Sequence, residues 1–562
     1  MNKLNAPLCL VVVLMVLTPC MASWQVGSDW KVASDSSLSV ACTSGSYAWS
    51  SIKPSSTWSV SGNLKIESLY KVYGSVRFAF GDANHEPMLL VGVNQHASHL
   101  SQVEVSIPGN RRPNLMVSGY VPGGDNTFAF KVTRVGDRLK LECFGDKGFI
   151  YVRETPRIQS SILDSIESFG VECDGGESAF DSLVITTPYE QPGHYTAQAE
   201  AAMLDLIKNF WCGGLGDGCI RPGSHGWPTP NDPKGGIWDR GQLLFCFDTL
   251  YDANHDPNLR QRLSLEMAHL QKYFKPEDVD KAGSHPDMIA CDDCGWNGLF
   301  FMELYKHTGN KFALDRADAL MNSAYERWMD NELGGGMWYN DSRNGKSIYQ
   351  TGVLLCSLDV WKENGDTALK DKAISCYEWL ESHLLRSDGI YWADYTRDGP
   401  RGKERPNDIH ESGSVSFLAG NMGMTVLHAR MYRMTGDKKY LDRALRTAEG
   451  ISRKFVKDGI YFDDRDGWAN GSFARQWAEE VLTLPGIDPK HKQLLFRTAD
   501  SIYKNARTVD GFYGAGWAGP AEGPDSVWDI KGTRAQQTMT SGSSANMIMA
   551  AAIAEQESKN GK

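Results

Sequence analysis

The sequence predicts an all-β sandwich followed by an all-α (α/α)6 toroid, and three observations carry that prediction. Residues 24–188 alternate apolar and polar side chains in short runs punctuated by Gly, Asn, Asp and Pro. After His194 the period lengthens to that of a helix and stays so. The helical runs then come in pairs with recurring punctuation, the mark of a repeat architecture. At 562 residues the chain exceeds one ordinary core, so two domains are expected, over 23–190 and 195–557.

Residues 1–22 are laid out as a secretory signal: Lys3, an apolar run over 8–17, and a small-residue end near Cys20, Met21 and Ala22. The run is short for a membrane span, and cleavage after Ala22 is preferred to lipid attachment at Cys20. A secreted, periplasmic or cell-surface protein is expected. Runs at 63–72, 75–81, 88–93 and 102–107 read as strands, and 128–134 with 138–144 flank Val135, Gly136 and Asp137 as a hairpin. Regular short strands divided by turns indicate a sandwich. The closing run, 178–187, resembles the last strand of concanavalin-like jelly-roll domains, which bind glycans or serve as structural modules. These strands carry no catalytic constellation. Residues 191–194 read as the linker.

Twelve helices are expected, near 195–210, 238–252, 257–274, 293–308, 310–328, 349–363, 366–385, 414–434, 438–455, 472–484, 489–507 and 541–556. The turn inside a pair reads Thr308-Gly309-Asn310, then Asn364-Gly365-Asp366, then Thr435-Gly436-Asp437. Each places Gly at a helix end and a polar cap near the next start. The connections between pairs also recur, as GGGMWY at 334–339, DGIYWA at 388–393, DGIYFD at 458–463 and DGFYGA at 510–515. Helices starting near 349, 414 and 541 are apolar nearly all round and read as buried, while those near 366, 438 and 489 carry a charged outer face. Six buried and six outer helices describe a closed toroid, the helix near 541 pairing with the first. An open solenoid requires capping repeats, and the apolar C-terminal helix is a poor cap.

The formal charge of −11 argues against nucleic acid or an anionic membrane as the principal partner. No later segment is apolar enough to span a bilayer. The 17 Trp and 21 Tyr leave aromatic faces for stacking on neutral sugar rings. Cys212 and Cys219 close a Gly-rich loop and are the best local disulfide candidates. Cys291 and Cys294 form a C-x-x-C pair, but a four-Cys zinc set with 212 and 219 has poor spacing and the wrong compartment. Neither metal nor cofactor is called for.

The segment 289–309, IACDDCGWNGLFFMELYKHTG, supplies the chemistry. Asp292 and Asp293 stand where an apolar helix pattern begins, a position that Asp also favours as a cap. Every between-pair connection leads into the start of an inner helix, so these loops and the Asp pair share one end of the barrel. Around the pair the loops bring Trp338, Tyr339, Tyr391, Trp392, Tyr461 and Phe462, with Trp468, Tyr513 and Trp517 beyond. Acidic and aromatic residues on one rim are what a carbohydrate cleft requires. Trp296, Asn297, Trp338, Tyr339, Trp392 and Asn421 are the substrate-binding candidates, and Asp292 and Asp293 the catalytic ones.

Asp292-Asp293, a Trp-bearing helix, a Thr-Gly turn, an outer helix and then Gly-Gly-Gly-Met-Trp-Tyr resemble glycoside hydrolase family 76, the (α/α)6 endo-α-1,6-mannanases. The likeness covers most of 195–557. It implies a retaining mechanism with Asp292 as nucleophile and Asp293 as acid/base. One departure stands out: the family usually has a Tyr-Asn-Gln-Gly-like segment entering a later inner helix, and here Gly420-Asn421-Met422-Gly423 places Met422 at the polar position.

The chemistry of the pair points the same way. Retaining glycosidases hold their carboxyl groups roughly 5–5.5 Å apart, inverting ones about 6.5–9.5 Å. Neighbouring Cα atoms are about 3.8 Å apart, which suits the shorter separation. Two carboxylates this close cannot both ionise freely, so one retains a proton for the leaving oxygen. Three other readings compete. An unsaturated-uronide hydrolase calls for a basic site, which this rim lacks. A sugar epimerase relies on His bases, and His428 is the main inner-helix case. A non-catalytic glycan-binding protein is the third.

Overall fold

The computed structural model describes residues 24–34, 37–43, 45–54, 57–70, 73–96, 100–108, 114–117, 121–122, 126–145, 150–155, 157–186, 193–212, 219–220, 237–273, 290–400, 416–462, 471–508, 511–520 and 538–559. The expected signal at 1–22, the linker residues 191–192 and Trp468 lie outside them. The chain divides into two compact units, Met1–Glu190 and Gln191–Lys562.

The first unit is built of antiparallel strands in two sheets. One is centred on Ser168–Asp174, Tyr73–Gly81 and Pro87–His96, the other on Thr127–Val135, Ser59–Leu69 and Gly176–Thr186. Alternation sends Phe78, Phe80 and Phe169 from the first sheet, and Leu64, Phe130 and Phe180 from the second, into one shared core. The expected hairpin forms, with Val135 opposite Arg138 and Gly136 in the left-handed region. One helical turn, α1 (Ser160–Leu163), interrupts the strands.

The second unit is helical. Its elements are α2 (His194–Phe210), α3 (Ile237–Asn254), α4 (Pro257–Tyr273), α5 (Cys291–Thr308), α6 (Lys311–Trp328), α7 (Thr351–Asn364), α8 (Thr367–His383), α9 (Leu418–Thr435), α10 (Lys438–Lys454), α11 (Ala474–Gln476), α12 (Lys490–Asn505) and α13 (Thr538–Lys559). The expected helix at 472–484 is shorter and wider: α11 runs straight into a π-turn, Trp477–Val481. The helix placed at 414–434 begins at Leu418, and a 3-10 turn, Ile348–Gln350, precedes α7.

Gly309, Gly365 and Gly436 end α5, α7 and α9 in the left-handed region, each N–H donating to the carbonyl four residues back at 2.8 Å. Asn310, Asp366 and Asp437 then accept backbone N–H bonds at the starts of α6, α8 and α10. This is the physical content of the recurring turn. The buried helices pack in succession: α3 on α5, α5 on α7, α7 on α9, α9 on the π-turn, the π-turn on α13, and α13 on α3. α13 also packs on α2, where Glu555 accepts from the N–H and hydroxyl of Thr196. Among the described residues no helix is long and apolar enough to cross a membrane.

Candidate active site

Asp292 and Asp293 occupy the first turn of α5, Asp292 buried and Asp293 half-buried. Ala290 is the N-cap and has no side chain to offer the orphan donors. Asp293 Oδ2 reaches back to accept the Ala290 N–H at 3.0 Å, which fixes its direction. Beneath the pair, α5 meets α7 at Gly295 and Gly352. A Cβ on Gly295 would lie 2.6 Å from Val353 N and 2.7 Å from the Gly352 carbonyl carbon, so only Gly permits this approach.

The Gly-rich connection is joined to the same helix start. Cys291 N–H donates to the Tyr339 carbonyl at 2.8 Å, and Ala290 pairs with Asn340 in a β-bridge. The bend is made by four residues in the left-handed region, Leu333, Gly334, Gly335 and Gly336. Their geometry turns carbonyls inward onto a buried ammonium. Lys346 Nζ donates to Asp330 Oδ1 at 2.9 Å and to the carbonyls of Glu332 and Gly335 at 2.6 Å each. The indoles of Trp338 and Trp379 lie 4.9 and 5.9 Å from that ammonium. Burial pushes the Asp330 carboxyl up, but hydrogen bonds from Lys346 and Trp338 outweigh it and hold it below the usual range.

Tyr339 therefore lies beside the pair. The charge of Asp292 foremost, then burial and the charge of Asp293, push its phenol far above the ordinary value and keep it a neutral donor. The field of Asp394 reaches the same phenol. Asp394 sits on a short ladder opposite Ser347, which brings a third carboxylate to this end of the unit. Tyr349 extends the surface, its ring 5.6 Å from Tyr339 and stacked on Phe417 at 4.5 Å. The sequence reading missed both Asp394 and Tyr349. Asp394 directly follows the DGIYWA connection at 388–393, and that adjacency to a between-pair loop is the signal that could have found it.

The other expected sugar contacts are placed differently. Trp338 is fully buried and its N–H donates to Asp330 at 2.7 Å. Asn421 is fully buried too: its Oδ1 accepts the Tyr391 N–H at 2.8 Å, and its Nδ2 donates to Ser416 and to the Phe417 carbonyl. Trp296 packs on Phe473 at 4.6 Å, Asn297 is buried in α5, and Trp392 carries the Arg386 guanidinium on its ring. Of the six candidates only Tyr339 keeps partial exposure. Met422 is core. Cys291 and Cys294 are buried free thiols whose pKa values burial raises, contrary to what zinc ligation needs. The backbone register sets Cys212 opposite Cys219.

At the far end of the same helices Asp248, Asp252 and His307 bring ligand atoms within 4.8 Å of one another. The Arg475 guanidinium pairs with both aspartates and takes the place of a cation there.

The family model of glycosyl hydrolase family 76 matches residues 196–558. The chain belongs to that family. Family 76 members of solved structure share the fold. An inactive variant of the α-1,6-mannanase GH76A of Salegentibacter sp. HEL1_6, with two consecutive aspartates replaced and in complex with α-1,6-mannotetrose, is 16% identical with a TM-score of 0.51. The match covers 64% of this chain and 100% of that one. A family 76 α-mannanase of Bacteroides thetaiotaomicron is 18% identical, TM-score 0.50, over 65% of this chain and 98% of its own. A family 76 glycoside hydrolase from a bovine Bacteroides thetaiotaomicron strain is 14% identical, TM-score 0.51, over 91% of this chain and 97% of its own. No curated protein matches this chain.

Proposed function

We propose that the chain is an exported hydrolase of α-mannosidic, α-1,6-mannan-like linkages, acting with retention through Asp292 and Asp293. The observation that carries this reading is the consecutive carboxylates at the start of α5, inside the span matched by the family model. The Salegentibacter relative, whose inactive variant lacks two consecutive aspartates and holds an α-1,6-mannotetrose, supports it. Asp292 attacks the anomeric carbon and forms a glycosyl ester, while Asp293 gives its proton to the departing oxygen. Asp293 then takes a proton from water, whose oxygen displaces Asp292 and releases the sugar. Tyr339 donates to Asp292 or to a sugar oxygen, and Asp394 accepts from sugar hydroxyls. Trp338, Asn421 and Trp392 position the loops, and Trp296 and Asn297 form the floor under the pair. An anionic uronide would face three carboxylates here, which disfavours that alternative.

The twelve helices are proposed to close as an (α/α)6 toroid, supported by α13 packing on α2 and α3. The N-terminal sheets are proposed to be a jelly roll, and residues 1–22 an export signal.

Asp292→Asn and Asp293→Asn test the mechanism. Both should fold, because the swaps are isosteric and an amide oxygen at 293 can still accept the Ala290 N–H. Asp292→Asn should lose all turnover. Asp293→Asn should fail on mannan but recover its first step on an aryl mannoside with a good leaving group, which needs little protonation. Recovery in the Asp292 variant instead would exchange the two roles. Wild-type hydrolysis of mannan by both folded variants would sink the proposal.

A further inference from the structure

Two of the connections that carry the chain between the sheets of the first unit meet at one corner. Cys42 ends a strand of the second sheet, Ser37–Cys42, and Ser46 opens one of the first, Ser46–Ser50. Asp174 ends a strand of the first sheet, and Gly176 opens one of the second. The ladders tie these crossings together, with Cys173 opposite Ser46 and Cys42 opposite Gly176. Gly175, in the left-handed region, makes the second crossing tight. A Cβ on Gly176 would lie 2.2 Å from the Ser68 carbonyl oxygen, so the backbone there is closely packed as well.

Each crossing carries one cysteine, and both side chains belong to the core shared by the two sheets. Both are thiols in this structure. Cys42 Sγ donates to the Cys173 carbonyl oxygen at 3.3 Å, and the two thiols hydrogen-bond each other. Cys173 Sγ lies 3.4 Å from Ser178 Oγ and 3.7 Å from the Gly176 carbonyl oxygen, which keeps it at the crossing. Residues 131 positions apart in sequence are thus brought into thiol contact. Cys291 and Cys294 are placed differently. They stand three residues apart on a helix, where Cβ atoms are about 5–6 Å apart, beyond the roughly 3.5–4.5 Å that a disulfide spans.

We propose that Cys42 and Cys173 form a disulfide that staples the two sheets, made as the chain folds in the presence of an external disulfide. The step is thiol–disulfide exchange. The Cys42 thiolate attacks one sulfur of the external disulfide and expels the other as a thiol. Cys173 then attacks the Cys42 sulfur of the mixed disulfide and expels the second thiol. The protons lost by the two cysteines end on the two released thiols, and the external disulfide takes the two electrons. Cys42 enters first because it is 6% exposed, against 1% for Cys173. Burial foremost pushes the Cys173 thiol up to about 12, so the second attack is slow once the sandwich has closed. The staple therefore forms during folding and is afterwards buried away from reductants. Its natural oxidant rests on the export proposed above, whereas the pairing itself does not.

Refolding the reduced, denatured full chain in oxidised glutathione, alkylating it and mapping its peptides without reduction tests the pairing. A peptide joining Cys42 to Cys173 is expected. The melting transition of the first unit should lie roughly 10 °C above that of the chain refolded in reduced glutathione, because the cross-link closes a long loop. Cys42→Ala should melt at one temperature in both buffers. The chain folded reduced and then given oxidised glutathione should gain the bridge at least tenfold more slowly than the refolding chain. Alkylation of both cysteines in the oxidised, folded chain overturns the proposal, as does a bridge from either to another cysteine. So does a bridge that leaves the transition where it was. Should Cys42→Ala not fold, the wild-type peptide map and melts decide alone. A bridge on refolding, with none in chain expressed with residues 1–22 and recovered from inside the cell, upholds the staple and counts against export.

Discussion

Replacing Lys346 by Met isolates what the buried ammonium does for the active site. The side-chain stem and its packing on Trp338 and Trp379 are retained, and only the charge and its donors are lost. Three acceptors within 2.9 Å lose their partner: Asp330 Oδ1 and the carbonyls of Glu332 and Gly335. Asp330 keeps Trp338 and Arg343, at 2.7 and 3.0 Å, so its charge is not abandoned. The Glu332 carbonyl keeps only a long bond from the Gly335 N–H at 3.5 Å, and the left-handed backbone at 333–336 has no reason to hold carbonyls inward once the ammonium is gone. Breaking a buried charge cluster from one side costs about 3–5 kcal/mol, which for a unit of this size lowers Tm by roughly 5 °C. The loop carries Tyr339, whose carbonyl receives the Cys291 N–H one residue before Asp292. A displacement of about 1 Å there should lower kcat/KM on the order of 100-fold. Thermal melts, mannan kinetics and hydrogen exchange over residues 290–296 together decide the point. A Lys346→Met protein that melts within about 1 °C of wild type and keeps its exchange protection would refute the clamp.

Three other substitutions follow from the same geometry. Gly295→Ala sets a methyl 2.6 Å from the α7 backbone and should cost about 1–3 kcal/mol while lowering turnover, read by urea unfolding and kinetics. Asn421→Leu removes the acceptor of the buried Tyr391 N–H and should destabilise by about 1–3 kcal/mol, read by the same unfolding curves; a neutral result would mean that the loop finds another partner. Burial, with the charge of Lys490, depresses the buried His491 from 6.5 to about 4. The unfolded chain then binds the extra proton between those values, so this stabilisation is whole above about pH 6.5. It falls by about 3 kcal/mol as pH drops to 4. His491→Gln should flatten the stability profile across that window, and an unchanged slope would show that other groups set it.

The helical pairs were legible because their signal is local. A Gly that must be left-handed, next to an Asn or Asp that must cap, is written in adjacent residues and needs no partner from elsewhere. The aromatics were not legible in the same way. Tyr391 and Tyr513 do reach helix starts and Tyr461 the middle of α12, but all three are buried, with their N–H groups held by Asn421, Ser541 and Thr498 respectively. A loop has no periodicity to say whether a ring points to solvent or plugs the fold. The expected rim of sugar-stacking faces is in these residues a ring of anchors. Lys346 reads as an ordinary lysine, because its acceptors, the Asp330 carboxylate and carbonyls set by local φ angles, lie ten or more residues away. The π-turn leaves no spacing signature either.

The GGG segment and the Asp pair were read as two parts of one motif, and the structure supplies a reason for their coupling. A helix that begins on Ala290 has no capping side chain, so something else must satisfy its first donors. Asp293 takes one of them, and the Tyr339 carbonyl takes the Cys291 N–H. The second acceptor comes from a loop more than forty residues away and is aimed by three glycines and a buried lysine. A side-chain cap at 290 would accept from the N–H of residue 292 or 293 instead, steadying the first turn without the loop while leaving the Cys291 N–H to the Tyr339 carbonyl. The capping defect thus makes the site depend on the Gly-rich turn. Ala290→Ser tests that dependence, because a hydroxyl accepting from the first turn should recover part of the stability lost in Lys346→Met but none of the lost turnover. Recovery of both would mean that the loop serves α5 only as a cap.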